Sequence, residues 1–324
     1  MRDQPTSELA ESANAHSVQR LVSEQRPMTL FEPTDAEWVC EMNLAERVAR
    51  AIALLKLHEP ANGYYLAFSG GKDSCAIKKL AQLAGVKFES EYNSTTIDPP
   101  ELIRFLKAKH PDVRWSLPEH GNMMKRVAEK SALPPTRMMR WCCEEYKEYG
   151  GEGRTKIMGV RTAESPSRKK RWVEVTTDHN KDTVVCPIVH WSDEQLWEFV
   201  GAYEVEVCLL YEEGWTRLGC VGCPLNNQSR LKEFERWPAF ERNWKKAVIA
   251  NWERWRNVPR NDGKPRAQSR FKTGEEMWQW WMQENRADPH KVEACQSELL
   301  WTNVDEEPTA DALLANDGAM PRRD

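Results

Sequence analysis

Two groups of residues in this chain of 324 have the types and spacing to do chemistry. The first is the string Phe68-Ser-Gly-Gly-Lys-Asp-Ser74. Gly70 and Gly71 allow a sharp turn and let backbone N–H groups approach an anion where a Cβ would not fit. A helix starting there adds free N–H groups and the positive end of its dipole. Ser69 and Ser74 supply hydroxyls and Lys72 a point charge. The Gly-x4-Gly-Lys-Ser/Thr spacing of a Walker loop is missing. Asp73 beside a phosphate needs a reason, either a magnesium ion between the two or a helix-capping role. A plain strand–helix turn would also use paired glycines, but the full string is far more specific to an anion.

The second group is cysteine. Of nine cysteines, Cys40, Cys75, Cys186, Cys208 and Cys295 stand apart, while Cys142-Cys143 and Cys220-x-x-Cys223 form two tight pairs. The N-terminus lacks the apolar core of a secretory signal and no apolar run reaches membrane-span length, so the expectation is a cytoplasmic protein with no membrane partner. In a reducing compartment paired cysteines read as metal-binding or catalytic rather than as disulfides. Four thiolates close a tetrahedral zinc site or hold a cubane iron–sulfur cluster. An adjacent Cys-Cys pair matches a zinc knuckle poorly. Four buried small hydrophobes are the remaining alternative.

The elements that must position these residues alternate. Apolar spacing predicts a helix from Asp35 (capped by Thr34, with Trp38, Met42, Val48, Ile52 and Leu55 on its face) to Pro60, a strand at 64–68 and a helix at 73–83. Strands follow at 87–92 and 112–116, helices at 99–109 and 120–130, strands at 156–160 and 171–175, and a helix over 193–203 capped by Ser192. Strands separated by helices imply an α/β fold with a doubly wound parallel sheet. Four segments result: a loose arm at 1–33, a nucleotide-binding and four-cysteine domain at 34–228, a helical, Trp-rich, basic unit at 229–301, and a disordered tail at 302–324.

In that third segment Phe240, Trp244, Val248, Trp252 and Trp255 recur at helical spacing, and 274–285 predicts a further helix. Ten Lys or Arg against two acids between Arg242 and Lys272 offer a surface for tRNA or DNA. Against that, the Trp spacing suits burial, with the basic residues as a solvated face. The net charge of −4 excludes a chain-wide nucleic-acid surface, so any such site must be local.

The phosphate loop resembles that of the superfamily that cleaves ATP between its α- and β-phosphates, a fold shared with sulfonucleotide reductases. Other segments are similar to assimilatory adenylylsulfate reductases of the phosphoadenosine phosphosulfate (PAPS) reductase family. Trp141-Cys-Cys-Glu-Glu-Tyr-Lys147 places a lysine four residues past the second cysteine. Gly159-Val-Arg-Thr-Ala-Glu-Ser-Pro-Ser-Arg168 resembles their Gly-x-Arg-x-x-x-Ser-x-x-Arg segment. Cys186-Pro-Ile-Val-His-Trp-Ser192 looks like their Pro-Leu-x-x-Trp-Ser/Thr element, and Leu210–Cys220 like the approach to their second cysteine pair.

The resemblance implies an adenine nucleotide (ATP, adenylylsulfate or its 3′-phospho form) held by the loop, Arg161 and Arg168. It also implies a 4Fe–4S cluster on Cys142, Cys143, Cys220 and Cys223, with Lys147 nearby. Read without it, the two arginines are ordinary surface charges and Arg168–Arg171 a solvated strand edge. Two departures separate the reaction types. The reductases attack with a cysteine in a Glu-Cys-Gly-x-His tail, whereas Val292-Glu-Ala-Cys-Gln-Ser297 offers Cys295 without the glycine or histidine. Lys72-Asp73-Ser74 is closer to members that bind intact ATP, where a magnesium-bound pyrophosphate gives Asp73 a role. The expectation is therefore ATP-dependent adenylation coupled to sulfur transfer, with a sulfur-donor protein as partner. Sulfonucleotide reduction and a non-catalytic nucleotide-binding subunit are the alternatives.

Overall fold

A computed structural model describes residues 42–226 and 229–283 of the chain. The 1–33 arm, Cys40, the Thr34 cap, Cys295 and the 302–324 tail lie outside the described residues. The first described helix, α1 (Leu44–Leu57), starts at a capping box in which Asn43 and Glu46 bond each other's backbone N–H. It is followed by β1 (Tyr64–Ala67), α2 (Lys72–Ala84), β2 (Phe88–Asn93), α3 (Pro100–Lys109), β3 (Arg114–Ser116), α4 (Met123–Glu129) and α5 (Trp141–Tyr146). Then come β4 (Lys156–Ile157), α6 (Pro166–Arg171), β5 (Val175–Thr177), β6 (Thr183–Val185) and α7 (Asp193–Ala202). The described residues end in α8 (Arg230–Arg236), α9 (Pro238–Trp255) and α10 (Gly274–Gln283).

The strands form one sheet in the order β3-β2-β1-β4-β6-β5. All neighbours run parallel except β5, which lies antiparallel on β6 at the edge. β1 is buried along Tyr64, Tyr65 and Leu66, and the Tyr64 hydroxyl donates to Leu55 O at 2.7 Å, tying α1 to the sheet. Helices α1, α2 and α7 pack together, and α9 packs on α4. The winding reverses between β1 and β4. In open α/β sheets the crevice at the carboxyl ends of the strands at such a point takes the ligand. Two chain segments leave there, Phe68–Gly71 after β1 and Met158–Arg161 after β4.

The α/β expectation holds; several of its details do not. The strand expected at 171–175 is displaced to Val175–Thr177, and Arg168–Arg171 belong to helix α6, not to a strand edge. Ser165 accepts from Arg168 N and Pro166 fills the first helical position, so the local cap overrides the strand reading. The strand expected at 156–160 stops at Ile157. Helices α5 and α8 and strand β6 were not foreseen. No described helix is long and apolar enough to cross a membrane.

Behind α2 a buried lysine meets a half-buried histidine and an exposed carboxylate. Lys78, 4% exposed, donates to Asp112 at 2.8 Å and approaches His110 Nδ1 at 3.2 Å, while the His110 ring sits edge-on to Phe68 and Phe105. Burial, then Lys78, lower the His110 pKa from 6.5 to about 4, against opposing pulls from Asp112 and Glu206. The folded state thus binds this proton less readily than the unfolded chain. Its contribution to stability is full above pH 6.5 and is lost as pH falls from 6.5 toward 4. A plot of urea midpoint against pH should slope through that window, and His110→Gln should flatten that part of the slope.

Candidate functional site

The turn between β1 and α2 is held by its own serines. Ser74 Oγ donates to Gly71 O at 2.8 Å, Ser69 Oγ lies 3.3 Å from Ser74 Oγ, and Gly71 N donates to Ser69 Oγ at 3.4 Å. Gly70 has φ of +75°, a left-handed conformation that glycine adopts without a Cβ penalty. The first helical N–H, that of Lys72, is donated to the Tyr211 hydroxyl at 2.9 Å. Burial pushes the Tyr211 phenol up, so it stays neutral over the loop.

The charges at this turn neutralise one another. Arg161, 1% exposed, donates through Nε to Asp73, through Nη2 to Asp193 at 2.7 Å and through Nη1 to Trp191 O at 3.3 Å. Lys72 Nζ lies 3.4 Å from Asp73, 3.6 Å from Asp193 and 3.3 Å from Thr216 O. Two cations and two carboxylates thus close on each other. Asp73 does not cap α2, whose cap position is Gly71 with no side-chain bond. Its carboxylate instead faces Arg161 and Lys72, a pairing across 88 residues that local sequence cannot reveal. Arg168, on α6, is paired with Glu164.

From this turn a cleft of about 500 Å³ runs past Tyr92, Thr95 and Asp98 to Lys147 and Gly219. Inside it the Tyr92 and Thr95 hydroxyls both donate to Asp98, the latter at 2.6 Å. Ser69, Gly71, Lys72, Asp73, Ser74, Arg161, Arg168 and Lys147 all line this one cleft. Gly70 points inward instead, toward Leu102 and Leu106.

The cleft ends beside the thiols. Cys142 and Cys143 lie in the first turn of α5, which is anchored where Glu145 accepts from Arg126 at 2.8 Å and Lys130 at 2.7 Å. Cys220 and Cys223 flank a turn closed by Cys223 N to Cys220 O at 3.2 Å, and Val221 N bonds Ile97 O at 2.8 Å. All four are free thiols; Cys142 feels the other three, and Cys143, Cys220 and Cys223 act on Lys147. Cys143 ionises before Cys142, because the Cys142 thiol donates to it and Arg140 lies beside it. Burial pushes the Cys220 thiol up against the pull of Lys147. Lys147, an exposed residue, is held up chiefly by Cys220, with Asp98, Cys223 and Cys143 adding to the effect. Among the described residues no three His, Cys, Asp or Glu side chains converge tightly enough to hold a single metal ion.

In the basic segment Trp244 and Trp252 are buried, and Arg266 lies 4.9 Å over the Trp255 ring. The stripe faces the core, and guanidinium groups cover indole surface that a base would use.

Sequence reasoning missed Tyr211, Asp193 and Asp98. Asp193 carries a visible signal, since it opens the helix after the Trp-Ser element. Tyr211 and Asp98 do not, because only the tertiary fold brings them to the cleft.

Comparison with known proteins follows the same span. The profile of the phosphoadenosine phosphosulfate reductase domain matches residues 63–226, just over half of the chain. An uncharacterized protein of Methanocaldococcus jannaschii is 25% identical over 229 residues, covering 66% of this chain and 45% of that protein. An adenosine 5′-phosphosulfate reductase of Staphylococcus saprophyticus is 21% identical over 154 residues, 46% of this chain and 62% of the reductase. The chain spans about half the length of the first curated relatives it matches. Among solved structures, a phosphoadenylyl-sulfate reductase from Candida auris aligns with a TM-score of 0.40 at 13% identity, covering 68% of this chain and 98% of that one. By its matched span, this chain belongs to the phosphoadenosine phosphosulfate reductase domain family.

Proposed function

We propose that the chain is an ATP-dependent adenylating enzyme that hands its activated acceptor to a sulfur nucleophile. The observation that carries this reading is the charge balance at the Ser69–Ser74 turn. A sulfonucleotide brings only negative charge toward Asp73 and Asp193. ATP arrives with magnesium, which those two carboxylates would hold and which when bound screens the pyrophosphate. Lys72 and Arg161 are then released to the phosphate oxygens, with Arg168 at the cleft wall.

An acceptor oxygen attacks the α-phosphorus, the bond from that phosphorus to the bridging oxygen breaks, and pyrophosphate leaves. The sulfur nucleophile, supplied by a donor protein, then bonds to the acceptor atom bearing the adenylate, and AMP departs with the electron pair. The chain contributes positioning and charge neutralisation.

The four thiols suit an iron–sulfur cluster. Cys143, Cys220 and Cys223 act on Lys147, and Cys142 and Cys143 on Arg140, cations that would offset the negative charge of a thiolate-bound cluster. Cys142, Cys143, Cys220 and Cys223 would hold a 4Fe–4S cluster, which when bound supplies redox and sulfur-binding chemistry at that end of the cleft. A second reading, reduction of adenylylsulfate or its 3′-phospho form to sulfite, draws on the cleft joining the anion turn to the thiols and on the reductase relatives. tRNA or DNA as acceptor would meet phosphate contacts, rather than stacking indoles, at the 242–272 segment.

The test uses anaerobically purified protein with magnesium-ATP, a sulfide source and candidate acceptors, followed by pyrophosphate and AMP assays. Acceptor-dependent pyrophosphate release is expected. Sulfite release from adenylylsulfate with a thiol reductant, and no pyrophosphate from ATP, would overturn the adenylation reading. Nucleotide binding with neither product would make the chain a non-catalytic subunit.

A further inference from the structure

Residues beyond 226 lie outside the matched family span, yet they hold both cysteine pairs. The Cys220–Cys223 turn is docked on α8 and α9. Glu233, 5% exposed, accepts from Gly222 N at 2.7 Å and from Asn226 Nδ2 at 2.7 Å. The Trp244 indole, 1% exposed, donates to Val221 O at 2.9 Å. Gly222 has φ of +77°, and a Cβ there would lie 2.7 Å from both the Phe234 ring and Trp244 Nε1. The turn fits this surface only as glycine.

Seven residues further along the same helix, two turns or about 10 Å, Asn251 is fully buried and reaches the other pair's support. Its Nδ2 donates to Val127 O at 2.8 Å, Lys130 O at 2.7 Å and Ala132 O at 3.2 Å. Gln268 adds bonds to Ser131 O at 3.2 Å and to Asn251 Oδ1 at 3.0 Å. That segment carries α5. Arg126 and Lys130 grip Glu145, and Trp141 Nε1 donates to Leu133 O at 3.1 Å. One rigid helix therefore touches the supports of two cysteine pairs that are far apart in sequence.

We propose that α8 and α9 form a brace that sets the separation of the two cysteine pairs. Glu233 and Trp244 are positioning residues for Cys220 and Cys223, and Asn251 for Cys142 and Cys143. The inference rests on reading the four thiols as one cluster site. Its physical basis is that buried acceptors left unpaired open their segment locally, and that groups orienting ligands govern how well a site holds its metal.

The test compares the full chain with Trp244→Phe, Glu233→Gln and Asn251→Ala, and with Leu55→Ala as a destabilised control in the α1 core. Alkylation rates of each cysteine in the metal-free protein, iron and sulfide per chain, and magnesium-ATP affinity are measured. In Trp244→Phe and Glu233→Gln, Cys220 and Cys223 should alkylate about tenfold faster. Asn251→Ala should do the same for Cys142 and Cys143. Iron in each of these variants should fall to about half or less, with ATP affinity unchanged. Leu55→Ala should lower the melting temperature without changing thiol rates. Unchanged thiol rates, or a rise matched by Leu55→Ala, would overturn the brace. A wild-type chain without iron or sulfide would overturn the cluster reading alone, leaving the brace to be judged on alkylation.

Discussion

Arg161→Ala is expected to weaken magnesium-ATP binding on the order of a hundredfold and to lower stability by about 3 kcal/mol. The guanidinium is the more deeply buried of the quartet's two cations and bonds at once to Asp73, Asp193 and the Trp191 carbonyl. Without it, two carboxylates face each other across the turn with Lys72 alone between them, and an arriving phosphate meets net negative charge. Arg161→Lys should regain part of the stability and little of the affinity, because one ammonium cannot reproduce the planar fork. Adding Asp73→Asn to Arg161→Ala should restore stability further by removing one uncompensated charge. Isothermal titration and urea unfolding read both quantities. An Arg161→Ala chain with wild-type affinity would remove Arg161 from the nucleotide site.

Gly70→Ala should be nearly as damaging, through the backbone rather than through charge. Its φ of +75° is costly for alanine, and the new Cβ would lie 2.8 Å from Leu106 Cδ2 and 2.9 Å from Leu102 Cδ1. Left-handed strain and overpacking together give about 2–4 kcal/mol. The turn relieves the clash by moving toward the cleft, so ATP affinity falls with stability. Pairing Gly70→Ala with Leu106→Ala should recover the packing part and leave the conformational part. Full recovery in the double variant would show that the positive φ carries no cost here.

Much of the fold was readable because its signals are local. The apolar run at Tyr64–Phe68 and Ser192 before α7 each act within a few residues, and the elements they predict are present. Where two local signals compete, as Ser165-Pro166 against the strand-like 171–175, the cap prevails. The site was readable as residue types but not as partnerships. Asp73 was recognised as anomalous beside a phosphate, yet its partner, Arg161, arrives from the far side of the winding reversal. Tyr211 carried no signal, because a phenol accepting a helical N–H is a tertiary contact. Asn251 sits in a helix whose periodicity announces burial of tryptophans, and nothing in that pattern marks an amide that clasps three carbonyls.

The closed quartet of Lys72, Arg161, Asp73 and Asp193 also bears on how a nucleotide first meets the chain. Opposite charges a few ångströms apart cancel beyond roughly one Debye length, about 8–10 Å at ordinary ionic strength. The turn therefore projects little field into solvent and cannot draw a polyanion in from a distance. Encounter is governed by diffusion and by the width of the cleft mouth, and is nearly indifferent to salt. Discrimination is deferred to contact, when the quartet must open and only a ligand able to re-pair all four groups remains.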